Sequence, residues 1–496
     1  MSRFSYLGLF AVCASLASAC SDPVLPPTPA TDVPDADVLD SAVVDRPDTS
    51  ILDRPDVGPI DVTDVVDVPR DIQRDTTPID VPPGTTWCDL PMGPDAEVRG
   101  VTLPAGFCIR RYGRLTHPRV MQFSPSGDLF IASWGNIGPG GTGPGIGAIV
   151  VAPDDNRDGV ADNLGVNAVP DANRDQVADD LGIYANDSNL ALNWNEMRGD
   201  ASVVERDSWS SMHGILFHRG FLYLTTQNHV FRVPFTAGDR VVPRGATVER
   251  VADLEGAVRP THTLAAGADG ALYVSMGNYG LSLCPNTQPR QGAILRIRSA
   301  PGDTTIPLQG QIVAQGFRNP MYMRCQTWGC YAAELTDDGW TAPGREKLIR
   351  FGDGQDYGYP CCYDVGLPAP TNGGRVSCAG VTPSLAGFPI GYTPFGHDFE
   401  KGIWPAPYAN GVFIGLHGQV GSWNNTGINW APVNPTTHAF LGDAASVFMG
   451  GWGRGTPNEG RVADLVFAPD GRLFFTDDQL GHIYWIAPRT LQIPAR

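Results

Sequence analysis

One short pattern recurs six times along the 496 residues: an apolar stretch, a tight turn with glycine, and a second apolar stretch rich in Leu and aromatics. The copies are Gln122–Phe130, Leu216–Tyr223, Ala266–Tyr273, Arg324–Tyr331, Tyr408–Phe413 and Phe467–Phe474. Asp-Gly, Asn-Gly and Ser-Gly supply the positive φ that short hairpins demand. Six hairpins of one type at irregular spacing suggest six blades of a propeller with long insertions, an all-β fold. A β-sandwich or another blade number fits the repeat as well. The chain holds 59 Gly and 44 Pro, which favours short strands and turns over helices. A hydrophobic share of 42% suits a sizeable core, and a single propeller can take up this length.

The net charge of −18 argues against nucleic acid as a partner, because phosphate binding needs a basic footprint. Much of that charge is local. Ser21–Thr86 holds fifteen Asp and four Arg, and no aromatic residue. With many prolines, that segment cannot bury enough apolar surface to offset its chain entropy, so residues 20–86 are expected to be a disordered, self-repelling stalk. Before it, Met1–Ala19 has one basic residue, a short apolar run and small residues ending at Cys20, as in a bacterial secretory signal. Leu16-Ala-Ser-Ala-Cys20 looks like a lipobox, with Cys20 the lipidation site. Ala17 stands where Leu is usual, so ordinary cleavage after Ala19 stays open. The run is too short to span a bilayer. The expected location is outside the cytoplasm: an outer-membrane, cell-surface or periplasmic lipoprotein held by its lipid.

Cys13 lies in the signal and Cys20 is the expected lipidation site; eight of the ten cysteines remain, and an even number in an exported chain implies disulfides. Cys88–Cys108 is expected to tie the domain's start to its first strand, and Cys325–Cys330 to close the fourth hairpin. Cys361 and Cys362 are left for Cys284 and Cys378, in either order. No Cys-x-x-Cys occurs, which argues against zinc and c-type haem.

Two acidic insertions are copies of one motif. In Asp154–Asp162 and Asp171–Asp179, oxygens at the first, third, fifth and ninth positions can converge on a Ca²⁺, with a backbone carbonyl from the seventh. These are Asp154, Asn156, Asp158 and Asp162, then Asp171, Asn173, Asp175 and Asp179. The spacing resembles the loops of dockerin and thrombospondin type 3 repeats. A solvated acidic loop is the plainer alternative.

Val313-Ala-Gln-Gly-Phe-Arg-Asn-Pro320 is followed by the charged stretch Gly344–Phe351 and then Gly352-Asp-Gly-Gln-Asp-Tyr-Gly-Tyr-Pro360. With Leu103–Ile109 as a first strand, these motifs resemble the glucose/sorbosone dehydrogenase family, over roughly residues 103–486. The resemblance implies a six-bladed propeller covering residues 87–490. It also implies a pyrroloquinoline quinone (PQQ) cofactor with a Ca²⁺, and oxidation of a sugar, polyol or sugar aldehyde with electrons passed to an external acceptor. Arg318 and Asn319 match the family's Arg–Asn pair, a cofactor-binding and catalytic position. His262, in Arg259-Pro-Thr-His-Thr-Leu264, stands near the family's catalytic base, and His213 is the second candidate. His417, opening His-Gly-Gln-Val-Gly-Ser-Trp-Asn-Asn425, matches a cofactor-side position, although Asn425 replaces the family's Arg. Arg461 after Gly460 is expected to make good that cation, and Glu346 and Asp338 match acidic positions. The rival reading is a propeller without redox chemistry that binds carbohydrate or protein on the same face. A metal-dependent lactonase propeller needs a set of central carboxylates, and the sequence shows no clear one.

Overall fold

The structure is a computed structural model. It describes residues 81–495 except 92–95, 116, 134–147, 163–181, 187–211, 227, 244–245, 255–260, 279–282, 301, 338, 420–424, 443–445 and 454; for 182–186 it describes the backbone alone. The signal, Cys20 and most of the acidic segment fall outside these residues. So do Asp171, Asn173, Asp175, Asp179 and Asp338.

Among the described residues, twenty-five strands form six separate sheets. β1 (Phe107–Arg114) is set aside for the last of them. The first sheet holds β2 (Pro118–Phe123), β3 (Leu129–Ser133), β4 (Ala148–Ala152) and β5 (Gly182–Asn186). The second holds β6 (Ile215–His218), β7 (Phe221–Thr225), β8 (His229–Pro234) and β9 (Glu249–Asp253). The third holds β10 (Leu264–Ala266), β11 (Leu272–Met276), β12 (Ala293–Ile297) and β13 (Gln311–Gln315). The fourth holds β14 (Asn319–Gln326), β15 (Gly329–Leu335), β16 (Glu346–Phe351) and β18 (Ala386–Phe388), while β17 (Gln355–Asp356) adds in parallel to β13. The fifth holds β19 (Pro394–Phe399), β20 (Val412–Leu416), β21 (Gly427–Ala431) and β22 (Ser446–Met449). The sixth joins β23 (Val462–Phe467), β24 (Leu473–Asp477) and β25 (His482–Pro488) to β1.

The first strands of successive sheets touch in a closed ring, β2–β6–β10–β14–β19–β23 and back to β2. The fold is therefore a six-bladed β-propeller. Each recurring hairpin in the sequence is the innermost pair of one blade. Strands such as Leu129-Phe-Ile-Ala-Ser133 and Val412-Phe-Ile-Gly-Leu416 are buried at every residue. A blade packs against neighbours on both faces, so its middle strands read as apolar runs and not as alternation. Apolar layers fill the gaps between blades, as with Phe107, Trp404, Phe413, Phe448 and Phe467 between the fifth and sixth.

The ring is closed by β1, which pairs antiparallel with β25 from Phe107↔Pro488 to Arg114↔His482. Trp87, in a short 3-10 turn, packs edge-on against Trp485 at 6.2 Å, and Thr86 bridges to Gln492. Four disulfides are present: Cys88–Cys108, Cys325–Cys330, Cys284–Cys361 and Cys362–Cys378. The first two are the expected pairs, and the last two settle the order left open.

The Cys88–Cys108 bridge closes a loop of 20 residues at this seam. Replacing both cysteines by serine is expected to lower the unfolding free energy by about 3 kcal/mol. Urea unfolding followed by tryptophan fluorescence measures it, and an unchanged midpoint would mean that strand pairing alone fixes the seam.

Candidate functional site

Strand registers place the candidate residues at one end of the ring. Pro118 pairs with Ser133, Ile215 with Leu224, Leu264 with Val274, Asn319 with Leu335, Pro394 with Leu416, and Val462 with Asp477. Residues that start the first strand of a blade thus meet residues that end its second strand. The recurring hairpin turns lie at the opposite end. At the first end stand Arg119, His213, His262, Arg318, Asn319, His417, Arg461 and Asp478, from all six blades.

The two sequence stretches that resemble those of the sugar dehydrogenases are neighbours in space. Ala314 and Gln315 pair with Gln355 and Asp356, Tyr359 N–H donates to Gly316 O at 2.9 Å, and Phe317 stacks on Tyr357 at 4.9 Å. Gly316 has φ +81°, and a Cβ there would press on the Gly358 and Tyr357 backbone, so the turn before Arg318 requires glycine.

Arg318 is anchored through its backbone. Its N–H donates to Glu334 Oε1 at 2.9 Å, and its carbonyl accepts from Asn278 N–H at 2.5 Å. The guanidinium Nη1 donates to Thr336 O at 2.8 Å. Glu334 faces Lys347 Nζ at 3.2 Å, both fully buried. Burial pushes the Glu334 carboxyl up, and Lys347 opposes it. Asn319 Oδ1 accepts from Thr261 Oγ1 at 3.1 Å, next to His262. The Asn319 Nδ2 and both polar side-chain atoms of Asn278 are buried with no hydrogen-bond partner. Such orphaned amides are costly unless something else meets them.

His262 is fully buried, with Nδ1 2.7 Å from Ser275 O. His213 Nδ1 lies 3.2 Å from His262 O. A carbonyl only accepts, so in both rings Nδ1 carries the hydrogen and Nε2 keeps its lone pair. Burial, with Arg119 nearby, lowers the His213 pKa to about 3. Glu346 is fully buried and accepts from Thr393 N–H.

The opposite side of this end is organised by a residue the sequence reading missed. Asp478 Oδ1 accepts from Arg461 Nε at 2.6 Å, Asp478 Oδ2 faces Arg119 Nη1 at 2.9 Å, and His417 Nε2 lies 3.3 Å away. Burial works to raise the Asp478 pKa, but these neighbours, Arg119 foremost, hold it well below the usual carboxylate range. His417 is depressed to about 3 by burial and by Arg461. Arg461 and His417 were expected to face a cofactor; both are turned to Asp478. A Cβ at Gly460 would overlap the Asp477 carboxylate, which explains glycine before Arg461. The only hint of Asp478 in the sequence was a pair of aspartates directly after an apolar strand.

The floor between the two sides is aromatic. His213 meets Tyr322 edge-on at 5.4 Å, Tyr322 stacks on Phe395 at 5.4 Å, and Phe395 on His417 at 4.0 Å. Further along the inner strands, Arg324 of the fourth blade reaches Asp464 of the sixth at 2.9 Å and Met121 O of the first at 3.3 Å. Among the described residues, no three Asp, Glu, His or Cys side chains already surround a metal position.

No family model matches this chain, and no curated protein matches it in sequence. Solved structures do. A calcium structure of a Trichoderma reesei carbohydrate-active enzyme of family AA12 is 17% identical, with a TM-score of 0.55, over 79% of this chain and 99% of that one. The holo form of the PQQ domain of pyranose dehydrogenase from Coprinopsis cinerea is 16% identical, with a TM-score of 0.52, over 79% and 98%. At such identity the likeness is one of fold.

Truncating Asp478 to alanine leaves Arg119 and Arg461 buried without their counter-ion, and is expected to cost about 3–5 kcal/mol in urea unfolding. His213 and His417 are neutral in the fold but protonate in the unfolded chain below about pH 6.5. Each therefore contributes stability that is full above that pH and drains away as pH falls toward its folded value of about 3. Their ring carbon signals in NMR are expected not to titrate between about pH 5 and 8; a midpoint near 6.5 would contradict the burial described.

Proposed function

We propose that this chain is an exported oxidoreductase that binds PQQ with a Ca²⁺ at the polar end of the propeller and oxidises a sugar, polyol or sugar aldehyde. The observation that carries this reading is the orphaned amide cluster around Arg318 and Asn319. Asn319 Nδ2, in the motif that resembles the sugar dehydrogenases, and both side-chain polar atoms of Asn278, whose backbone N–H is bonded to Arg318 O, are buried without partners. Asn278 Oδ1 is an acceptor, while the two Nδ2 amides and the Arg318 guanidinium are donors that suit a ligand rich in carboxylates and carbonyls. Arg318 and Asn319 would hold it from one side. From the other, Arg119 and Arg461 stand against Asp478, with His417 beside them.

When bound, the quinone supplies the hydride acceptor. The chain's own part is to orient it, to move one proton and to shield the reaction. His262 takes the substrate hydroxyl proton on Nε2, since its Nδ1–H is held by Ser275 O. His213 has the same tautomer, but a pKa near 3 makes it a poor base near neutral pH. Arg318 also steadies negative charge that develops during the reaction. Electrons leave to an external acceptor. Four disulfides support export to an oxidising compartment, and lipidation at Cys20 would tether the domain there through the acidic stalk.

One observation favours the rival reading, a non-catalytic propeller that binds carbohydrate or protein on this end: Arg461 and His417 are already committed to Asp478. Reconstitution of the purified chain with PQQ and Ca²⁺ separates the two. The expected result is a bound-quinone absorbance and dye reduction with at least one member of a sugar panel. Arg318→Ala is expected to weaken quinone binding about tenfold or more, since a hydrogen bond to a charged group contributes about 1.5–3 kcal/mol. No spectral change at micromolar quinone would favour the non-catalytic reading, and unaltered binding by Arg318→Ala would remove that residue from the site.

A further inference from the structure

The loop after β4 lies at the hairpin end, opposite the candidate site. It touches both strands that close the ring. Trp485 Nε1 donates to Gly159 O at 2.7 Å, Ala161 N–H donates to Tyr112 O at 2.9 Å, and Arg157 Nη1 donates to Pro494 O at 3.0 Å. Tyr112 belongs to β1 and Trp485 to β25, the two strands that close the ring. The loop also borders a cavity of about 580 Å³ whose walls include Asp128, Asp154, Asp470 and Arg472.

Within the loop, each carboxylate pins the turn with one oxygen. Asp154 Oδ2 accepts from Gly159 N–H at 3.2 Å, Asp158 Oδ1 from Val160 N–H at 2.8 Å, and Asp162 Oδ2 from Asp155 N–H at 2.6 Å. Asn156 Oδ1 accepts from Asp158 N–H at 2.9 Å, and Asn156 Nδ2 donates to Asp158 Oδ2 at 3.1 Å. Gly159 has φ +81°, which gives the loop its sharp turn.

The second observation is Asp154 itself. Its side chain is only 8% exposed, and its Oδ1 is buried with no hydrogen-bond partner. Asp158 and Asp162 both act on it electrostatically, although the three carboxylates do not converge on one point in this structure. Arg472 Nη1, at 3.6 Å from Asp154 Oδ2, is a loose partner whose guanidinium is also bound to Asp470 at 2.8 Å and lies 3.5 Å over the Trp87 ring.

We infer that Asp154, Asn156, Asp158, Asp162 and the Val160 carbonyl form a structural Ca²⁺ site that clamps the seam of the ring. A hard divalent cation takes six to eight oxygens, so five protein oxygens leave room for water. The cation replaces the Asn156 amide as the partner of Asp158 Oδ2 and gives Asp154 Oδ1 the partner it lacks. Because Gly159 and Ala161 are bonded to β25 and β1, the ion stiffens the joint between the first and last strands. It lies at the other end of the propeller from any ion bound with a cofactor.

The test needs neither cofactor nor activity. Tb³⁺ is added to the full chain without quinone, and its emission is excited through tryptophan, since the Trp485 ring touches Gly159. Sensitised emission is expected, displaced by Ca²⁺ and far less by Mg²⁺, and millimolar Ca²⁺ is expected to raise the unfolding temperature by a few degrees. Asp158→Asn keeps an acceptor for Val160 N–H and is expected to weaken Ca²⁺ binding at least tenfold. Asp175→Asn, in the second acidic loop, is expected to leave the Tb³⁺ signal intact. Asp154→Asn serves as the second variant should Asp158→Asn fail to fold. Absence of sensitised emission, an equal signal in Asp158→Asn and Asp154→Asn, or an unfolding temperature indifferent to Ca²⁺ would overturn the assignment.

Discussion

The pairing of β1 with β25 is the contact on which the rest depends. A propeller blade has an apolar face on each side, so an open ring would leave two such faces in water. Closing it with the first strand against the last removes both edges at once. The cost is chain entropy, because the partners are far apart in sequence. Thr476 Oγ1 donates to Arg119 O across 357 residues, and such contacts form only after most of the chain is ordered. The closure is accordingly reinforced by a disulfide, an aromatic pair and an ion pair.

The same closure assembles the polar end. Arg119 lies at the start of the first blade and Asp478 directly follows a strand of the last, so their ion pair exists only in the closed ring. Buried pairs of this kind add little net stability, because desolvation offsets most of the attraction. Their effect is on geometry: a blade rotated by one strand register would leave a charge unmatched. Arg324, spanning from the fourth blade to Asp464 of the sixth, acts similarly deeper along the axis. Burial pushes the Asp464 carboxyl up to about 6 despite Arg324, a sign of how dry this region is.

What was legible in the sequence was local. The hairpins declared themselves because glycine and asparagine at positive φ are required within a few residues of each other. Cys325–Cys330 could be paired because both residues lie on one hairpin. Cys284–Cys361 and Cys362–Cys378 could not, since two adjacent cysteines look alike until the chain around them is folded. Arg318 and Asn319 were found through their flanking Gly and Pro. Asp478, Arg119, Asn278 and Tyr322 were missed because each acquires its role from a different blade. Arg461 was singled out as a cation, but its partner Asp478 could not be seen from its neighbours in the sequence.

Anchoring by the backbone gives the Arg318 turn its precision. Glu334 accepts the Arg318 N–H and Asn278 donates to its carbonyl, so the peptide units on both sides are fixed before either side chain is considered. Glu334 can do so because Lys347, one of two lysines in the chain, balances its charge in a space from which water is excluded. A compact ammonium suits that space where a planar guanidinium asks for several acceptors at once. The Asn319 amide is thereby held at the head of β14, pinned through Thr261 on one atom and open on the other. A turn built this way is rigid, and it draws that rigidity from hydrogen bonds made by its own backbone.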